Sequence, residues 1–282
     1  MNFVQERLTR PAAEARERGR AGSGWYAWLA RGGLVAKGVS YGIVAVLAIE
    51  LAVGHGGQAT SRQGALHALA GESFGKTVLG LLVVGFAAYA IWRFVEAWAA
   101  PCDDAKKWAK RLASIGRGLM YGGLAFSAAK ILAGAGGSGS QDAKAHQTTA
   151  TLLSLPAGTW LVGIGGAIVI AVGLWNFYRG VSRKFEDNWR TSEMSLTARR
   201  WGGRAGTTGH VARAVVFGLI GVFVIKAALQ YDPKEAIGLD GALQKLAAGT
   251  YGPWLLGLTA SGLLAYGLYC LVDARYRDVS AG

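Results

Sequence analysis

The segment Lys37-Gly38-Val39-Ser40-Tyr41-Gly42 decides how this chain folds, because it occurs three times with modest changes. The other copies are Arg117-Gly118-Leu119-Met120-Tyr121-Gly122 and Arg213-Ala214-Val215-Val216-Phe217-Gly218. Each copy places two small residues four positions apart, a spacing that lets the backbones of two transmembrane helices approach closely. One such pair is weak evidence, but three at equivalent positions indicate a repeated helical unit. The residues assigned to helix packing are Gly38, Gly42, Gly118, Gly122, Ala214 and Gly218.

Each unit also has an equivalent second half. It contains a glycine about 40 residues after the aromatic residue of the repeated segment, at Gly80, Gly163 and Gly257. We assign these three glycines to helix packing as well. A short helix at the outer surface is expected before each second half, around Gly64-Ala65-Leu66 in the first unit and Gly241-Ala242-Leu243 in the third.

The composition is that of a membrane protein, with 52% hydrophobic residues and 43 glycines among 282 residues. Six apolar segments of roughly 20 residues have the length needed to cross ~30 Å of hydrocarbon. They predict an all-α membrane protein with six transmembrane helices, arranged as three tandem two-helix repeats. The predicted spans are 34–53, 76–97, 112–133, 158–178, 211–229 and 253–272.

The three units are expected to pack around a common axis. Each unit crosses the membrane twice, so all three enter from the same side, and such repeats are related by an axis along the membrane normal. One repeat has too little interface to be stable alone, so a single domain with pseudo-threefold symmetry is predicted. The expected organisation is a charged N-terminal segment at 1–30, repeats at 31–104, 111–187 and 204–278, and a cytoplasmic linker at 188–203.

The formal net charge of +13 is distributed unevenly along the chain. Most of the excess Lys and Arg falls on the N-terminal segment, the two long connections and the C-terminal tail. A one-sided excess of this kind is typical of the cytoplasmic face of a membrane protein. We therefore expect a bacterial plasma membrane protein with both termini in the cytoplasm and anionic lipids as partners there. Nucleic acid is not needed to explain the charge and is excluded as a partner.

Three charged residues occupy equivalent positions near the outer ends of the first helices: Glu50, Lys130 and Lys226. Ionised side chains in hydrocarbon are costly and usually face a bundle interior or water. If the three converged, they would form a polar site for a small anion, a lipid headgroup or a transferable proton. Alternatively, the lysines reach the interface with their long side chains, and Glu50 pairs with a neighbour without any functional role.

A second charged layer is expected at the cytoplasmic helix ends. The first helices contribute Lys37, Arg117 and Arg213, and the second helices contribute Glu96, Arg179 and Asp273. Opposite charges within one unit predict the pairs Lys37–Glu96 and Arg213–Asp273. In the middle unit Arg117 and Arg179 would repel, so that unit either borrows an acid from a neighbour or binds an anionic lipid.

The chain shows no catalytic or metal-binding constellation. The four histidines match no zinc-ligand spacing. Residues 134–139 satisfy G-x-G-x-x-G only formally, because they follow a predicted helix rather than a strand. We therefore predict no enzyme activity, no cofactor and no metal. The histidines are His55, His67, His146 and His210.

These motifs resemble a family of bacterial membrane proteins known as domain of unknown function 1206. The resemblance rests on the R/K-G-x-x-Y-G opening, the G-A-L segment and the Y-x-x-W-R-x-x-E-A pattern of residues 89–97, and it extends over about 31–278. It implies three tandem two-helix units but no activity. The middle unit departs most, with Gln147-Thr148-Thr149 in place of G-A-L and Arg179 in place of the acid.

Two functions fit these observations. The first is a transport or small-ligand or lipid-binding bundle whose polar site is built from repeat-equivalent charged residues. The second is a membrane scaffold or accessory subunit, in which the small-residue contacts and basic loops serve packing and docking of a protein partner. The rings of Tyr41, Tyr121 and Phe217 would close a gate in the first case and belong to the core in the second.

Overall fold

Eight α-helices make up the part of the chain that the structure, a computed structural model, describes: residues 3–54, 75–99, 104–135 and 141–278. No strand forms within these ranges, which confirms the all-α class. Short 3₁₀ turns lie at Glu186–Asn188, Thr191–Glu193 and Pro233–Glu235. In chain order the helices are α1 (Phe3–Ala52), α2 (Gly75–Ala99), α3 (Ala105–Leu132), α4 (Gln141–Leu153), α5 (Gly158–Val181), α6 (Leu196–Gln230), α7 (Leu239–Ala247) and α8 (Gly252–Tyr276).

Five of these helices are long and apolar enough to cross a membrane, which identifies the chain as a multi-pass membrane protein. They comprise the segment Gly24–Ala52 of α1 together with α2, α5, α6 and α8. The predicted span at 112–133 forms α3, which has 28 residues and hence sufficient length. It is not among these five helices, and Arg117 and Lys130 lie within it.

The strongest helix packing joins one unit to the next. The second helix of each unit packs on the first helix of the following unit, as α2 on α3, α5 on α6 and α8 on α1. The three predicted second-half glycines lie in these contacts at equivalent places. A Cβ added to Gly80, Gly163 or Gly257 would lie 3.9, 4.0 or 3.9 Å from Leu132, Ala228 or Ala52, respectively. The three contacts between units are therefore built alike.

Small residues bring the backbones together within these contacts. A Cβ added to Gly38 of α1 would lie 2.8 Å from the carbonyl oxygen of Gly267 of α8, and the reverse distance is 2.9 Å. The α5–α6 contact has the same property, since a Cβ on Gly221 would lie 2.8 Å from the carbonyl oxygen of Gly166. No side chain fits between such backbones, so glycine is required where the helices cross.

The first and third units close their own hairpins in the same way. In the first unit Gly85 of α2 lies against Ala36 of α1, and in the third unit Gly262 of α8 lies against Ala212 of α6. A Cβ at either glycine would overlap the alanine. These four residues occupy equivalent repeat positions, so α1–α2 and α6–α8 are matching hairpins.

The middle unit does not close its hairpin. Its equivalent of Gly85 and Gly262 is Ile168, and its equivalent of the buried Tyr89 and Tyr266 is Val172. Ile168 is 58% exposed and Val172 is 42% exposed, and α3 and α5 make almost no direct contact. A branched side chain at this crossing prevents the close approach that glycine allows. The helices therefore follow the order α3–α2–α1–α8–α6–α5, with an open seam between α3 and α5.

Two of the three repeated aromatic residues belong to the core. Tyr41 packs against Tyr266 at 4.7 Å between ring centroids, and Tyr121 packs against Tyr89 at 4.4 Å. All four rings are buried. The third residue, Phe217, has Val172 at the equivalent partner position and instead lines a cavity.

The short outer helices predicted before the second halves are present in two units. They are α4 in the middle unit and α7 in the third, and α7 contains Gly241-Ala242-Leu243. The corresponding segment of the first unit, Gly64-Ala65-Leu66, lies outside the described residues.

We expect Gly38→Ala to destabilise the protein and Gly42→Ala to leave its stability unchanged or slightly increased. An alanine Cβ at position 38 would press on the Gly267 carbonyl, whereas at position 42 it would meet nothing within 4 Å. Overpacking costs about 1–3 kcal/mol, while alanine in an open helical position gains up to about 1 kcal/mol over glycine. Thermal unfolding in detergent, followed by intrinsic fluorescence, compares the two variants. Equal melting temperatures would contradict the close helix approach.

Candidate functional site

A cavity of about 630 Å³ lies at the open seam of the middle unit. Its walls come from α3, α5 and α6, with contributions from Tyr41 of α1 and Leu263 of α8. Most of the wall is apolar, with Leu124, Val162 and Val216 as typical members. The cavity therefore exists because α3 and α5 do not pack against each other.

One face of α6 runs along the length of this cavity. Its lining residues follow helical spacing and are all apolar except the first: Arg213, Val216, Phe217, Ile220 and Val224. Eleven residues of α-helix span about 16 Å. The cavity is thus elongated along the helix axes, with a guanidinium at one end and apolar side chains along its length.

The end of the cavity opposite Arg213, called the outer end below, is covered by α4. Lys144, Thr148, Thr149 and Leu152 of this helix line it. Thr149 stands at the repeat position of Leu243, which is wholly buried in the third unit. The departure of the middle unit from the G-A-L pattern therefore places hydroxyl groups at the outer end of the cavity.

Two hydrogen-bonded contacts hold α4 against the third unit. One Asp142 carboxylate oxygen accepts hydrogen bonds from the backbone amides of Gly238, at 2.6 Å, and Gly241, at 3.2 Å. At the other end, the Tyr231 hydroxyl donates to the Leu153 carbonyl at 2.8 Å. A carboxylate in the first turn also interacts favourably with the α4 helix dipole. Helix α4, which covers the cavity, is therefore held by hydrogen bonds at both of its ends.

Arg213 marks the inner end of the cavity. Its Nη1 donates to the Tyr266 hydroxyl at 2.6 Å, and the guanidinium carbon lies 4.5 Å from the centroid of the same ring. The rings of Phe217 and Tyr41 are 5.2 and 5.5 Å away. The buried Nε has no hydrogen-bond partner among the described residues. Aromatic faces thus hold this cation without neutralising it.

Lys37, the equivalent residue of the first unit, contacts the same tyrosine ring as Arg213. Its ammonium is 5.1 Å from the Tyr266 ring centroid and 5.8 Å from that of Tyr89. Within the described ranges, no carboxylate lies within ion-pair distance of Lys37 or Arg213. Two cations therefore contact one tyrosine ring in the interior of the bundle.

The predicted pairs Lys37–Glu96 and Arg213–Asp273 do not form. Glu96 instead accepts hydrogen bonds from Arg93, at 2.6 Å, and from Ser114, at 3.0 Å. Arg93 lies three residues before Glu96 on the same helix, where side chains meet readily. The W-R-x-x-E pattern already contained this competing arginine.

Asp273 is likewise bound by other groups. Arg277, four residues later, donates to it at 2.8 Å, and the Trp189 indole donates at 3.0 Å. Burial opposes the charge on Arg277, but the Asp273 carboxylate and the hydroxyls of Tyr269 and Tyr89 together outweigh burial and raise the pKa of this guanidinium. These contacts tie the connection between α5 and α6 to the end of α8.

The two arginines of the middle unit have different surroundings. Arg117 of α3 lies close enough to Glu96 of α2 for an electrostatic interaction, but Glu96 forms its ion pair with Arg93. The choice between a borrowed acid and an anionic lipid therefore stays a prediction. Arg179 of α5 forms no ion pair with a carboxylate in the part of the chain that the structure describes.

The structure does not join Glu50, Lys130 and Lys226 by any described hydrogen bond or ion pair. Lys226 pairs with Glu235 at 2.8 Å. Glu50 and Lys130 are exposed, each two residues before the end of its helix. Equal membrane depth of these residues and their convergence on a common site both stay predictions.

The histidines form no metal centre within the described ranges, where no group of three potential ligands occurs. His210 is buried, with its Nδ1 2.7 Å from the Gly206 carbonyl oxygen and its ring stacked on Phe185. His146 lies in α4, and His55 and His67 lie outside the described residues.

Sequence reasoning missed the residues that build the cavity. Ile168 and Val172 were the available signal, because they replace a glycine and a tyrosine that the other two units share. Asp142 and Tyr266 gave no comparable signal, since their partners are distant in sequence.

Three segments of the chain, residues 32–100, 112–183 and 208–277, match the family model described as Domain of Unknown Function (DUF1206). The threefold occurrence of one model confirms the internal repeat. A protein of Bacillus subtilis (strain 168) named "Uncharacterized protein YxxB" is 30% identical over 259 residues, which cover 91% of this chain and 93% of that protein. No solved structure matches the chain significantly.

We expect Asp142→Ala to loosen the α4 cover. The amides of Gly238 and Gly241 would lose their acceptor, which costs on the order of 1 kcal/mol for each bond. Their hydrogen exchange should then accelerate about tenfold or more, as measured by mass spectrometry of peptides that span 236–243. Asp142→Asn retains an oxygen acceptor and should show a smaller effect. Unchanged exchange in both variants would contradict the fastening role of Asp142.

Proposed function

The chain belongs to the DUF1206 family, and we propose that it is a membrane protein that binds an elongated amphiphile, such as a lipid, in the cavity between α3 and α5. The main observation that supports this proposal is the open seam of the middle unit. A cavity of about 630 Å³ lies within the usual size range of small-molecule sites. Its apolar walls suit hydrocarbon chains, and its polar groups lie at the two ends.

The position of the seam supports a ligand that enters from the bilayer. Ile168 and Val172 of α5 are exposed there, and in a membrane this surface faces lipid tails. A ligand could then pass between α3 and α5 without crossing the charged surfaces of the protein. The cation Arg213 at the inner end supplies the polar contact that fixes the orientation of such a ligand.

We propose six crossings for this fold, with three units around a pseudo-threefold axis along the membrane normal. The equivalent contacts of Gly80, Gly163 and Gly257 support this arrangement, because each unit meets the next in the same way. Since α3 packs along α2 as α6 packs along α5, we include α3 among the spans despite its two cations. The one-sided excess of Lys and Arg supports cytoplasmic termini in a bacterial plasma membrane.

A second candidate function is that of a scaffold whose seam receives a helix of another membrane protein. One observation favours it: α5 is the least buried of the candidate spans. An exposed apolar helix face is a common feature of subunit contacts. The two functions use different parts of the seam. A lipid would occupy the cavity, whereas a partner helix would pack on the exposed face of α5.

The proposed topology can be tested by labelling single cysteines in a variant that carries Cys102→Ser and Cys270→Ala. We expect Asp187→Cys, in the connection after α5, to react with a membrane-impermeant maleimide only in inside-out vesicles. Lys245→Cys, in α7, should react only in spheroplasts. Both residues are exposed. Labelling of the two positions from the same side would contradict the single crossing by α6 that the proposed topology places between them.

The cavity can be tested by filling it. Gly165 of α5 lines the cavity, and an added Cβ there meets nothing within 4 Å, so Gly165→Phe should fold and occupy the space. We expect it to reduce cross-linking of a phospholipid with a photoactivatable acyl chain in nanodiscs by about tenfold, the effect of about 1.4 kcal/mol. Cross-linked peptides, identified by mass spectrometry, should come from α3, α5 and α6 in the unmodified protein.

The matched control is Gly116→Phe in α3, where an added Cβ also meets nothing within 4 Å but the residue does not line the cavity. It should leave cross-linking unchanged. Equal cross-linking in both variants would exclude the cavity as the lipid site. A stoichiometric protein partner, together with no specific lipid, would support the scaffold instead.

A further inference from the structure

We infer that the inner end of the cavity is an anion subsite, formed by Arg213 with support from Lys37, so that the bound amphiphile has an oxyanion headgroup such as phosphate. This inference rests on the proposed function, because it names the chemical class of the ligand in the same cavity. Lipid phosphate and free phosphate share this chemistry. The geometry favours lipid, because the anion site continues into an apolar channel.

The first argument is the local charge balance. Lys37 and Arg213 both lie over the Tyr266 ring, at 5.1 and 4.5 Å from its centroid. The two acids expected to neutralise them, Glu96 and Asp273, accept hydrogen bonds from Arg93 and Arg277 instead. Uncompensated charge away from water is costly. An anion bound in the cavity would offset this cost directly at Arg213, which lines the cavity, and at longer range for Lys37, which does not.

The second argument is the way Arg213 is held. The hydrogen bond from its Nη1 to the Tyr266 hydroxyl fixes the guanidinium at the cavity wall. Its buried Nε–H has no acceptor among the described residues. Arginine binds phosphate and carboxylate through two parallel N–H donors. An oxyanion could therefore take the Nε–H donor together with a neighbouring Nη–H once a local adjustment exposes the buried Nε–H to the cavity.

The third argument is the match between charge and length. From Arg213 the apolar face of α6 continues through Val216 and Ile220 to Val224, over about 16 Å. This is about half of the ~30 Å hydrocarbon layer, and hence close to the depth of one leaflet. With Arg213 near the cytoplasmic end of its span, a lipid of the inner leaflet would place its headgroup at Arg213 and its acyl chain along α6.

The test compares phosphatidylglycerol with phosphatidylcholine, each with a photoactivatable acyl chain, on the full-length protein in nanodiscs. The unmodified protein should prefer phosphatidylglycerol about tenfold. Arg213→Gln should abolish this preference while phosphatidylcholine still cross-links, and Arg213→Lys should keep part of it. Arg204→Gln, on the same helix but outside the cavity, should leave the preference unchanged. A preference that persists in Arg213→Gln would overturn the inference.

The position of the headgroup gives a second measurement that needs no variant. Phosphatidylglycerol with its photoactivatable group on the head should cross-link the α6 region around 213, and a probe at the acyl terminus should cross-link the region around 224. The reverse order would overturn the inference, and displacement by millimolar inorganic phosphate would assign the subsite to a free oxyanion. Failure of both lipids to cross-link in the cavity would contradict the proposed function, whereas equal retention of both would contradict only this inference.

Discussion

Helix association in this protein depends on backbone contact at small residues. Lipid tails are as apolar as leucine, so burying apolar side chains between helices gains little inside a membrane, and close packing has to supply the attraction. The pairing of Gly38 with Gly267 and of Gly166 with Gly221 provides such contacts. Because these contacts join one unit to the next, they fix the order of the helices and the position of every interior cation.

The middle unit keeps its contacts with both neighbours but loses the contact within its own hairpin. Ile168 in place of glycine holds α3 and α5 apart, and Val172 in place of tyrosine leaves Phe217 without an aromatic ring partner among the described residues. Both changes act on the same cavity. The cavity beside Arg213 is therefore a consequence of how one copy of the repeat differs from the other two.

The sequence was most informative where the signal is a spacing. The repeated units, the small residues and the short helix before the second half all recur at fixed intervals, and these predictions needed no knowledge of which helices are neighbours. Partners of charged groups were predicted poorly, because Arg93 and Arg277 lie one turn from the acids and reach them first. The cavity needed the helix order, which depends on contacts between distant segments. The equivalent repeat positions of Glu50, Lys130 and Lys226 likewise say nothing about the direction in which each side chain points around its helix.

Because α3 and α5 do not pack against each other, the helices form a ring with one gap. A closed ring of helices can admit a bulky ligand only if one of its helix–helix contacts breaks. A ring of helices with one gap can open by small rotations shared among its intact helix–helix contacts. The helices that border the gap, α3 and α5, belong to one unit and are linked through α4. The hydrogen bonds that hold α4 at Asp142 and Tyr231 then limit how far α3 and α5 can separate. A change in the width of the seam would therefore leave the contacts that define the fold unchanged.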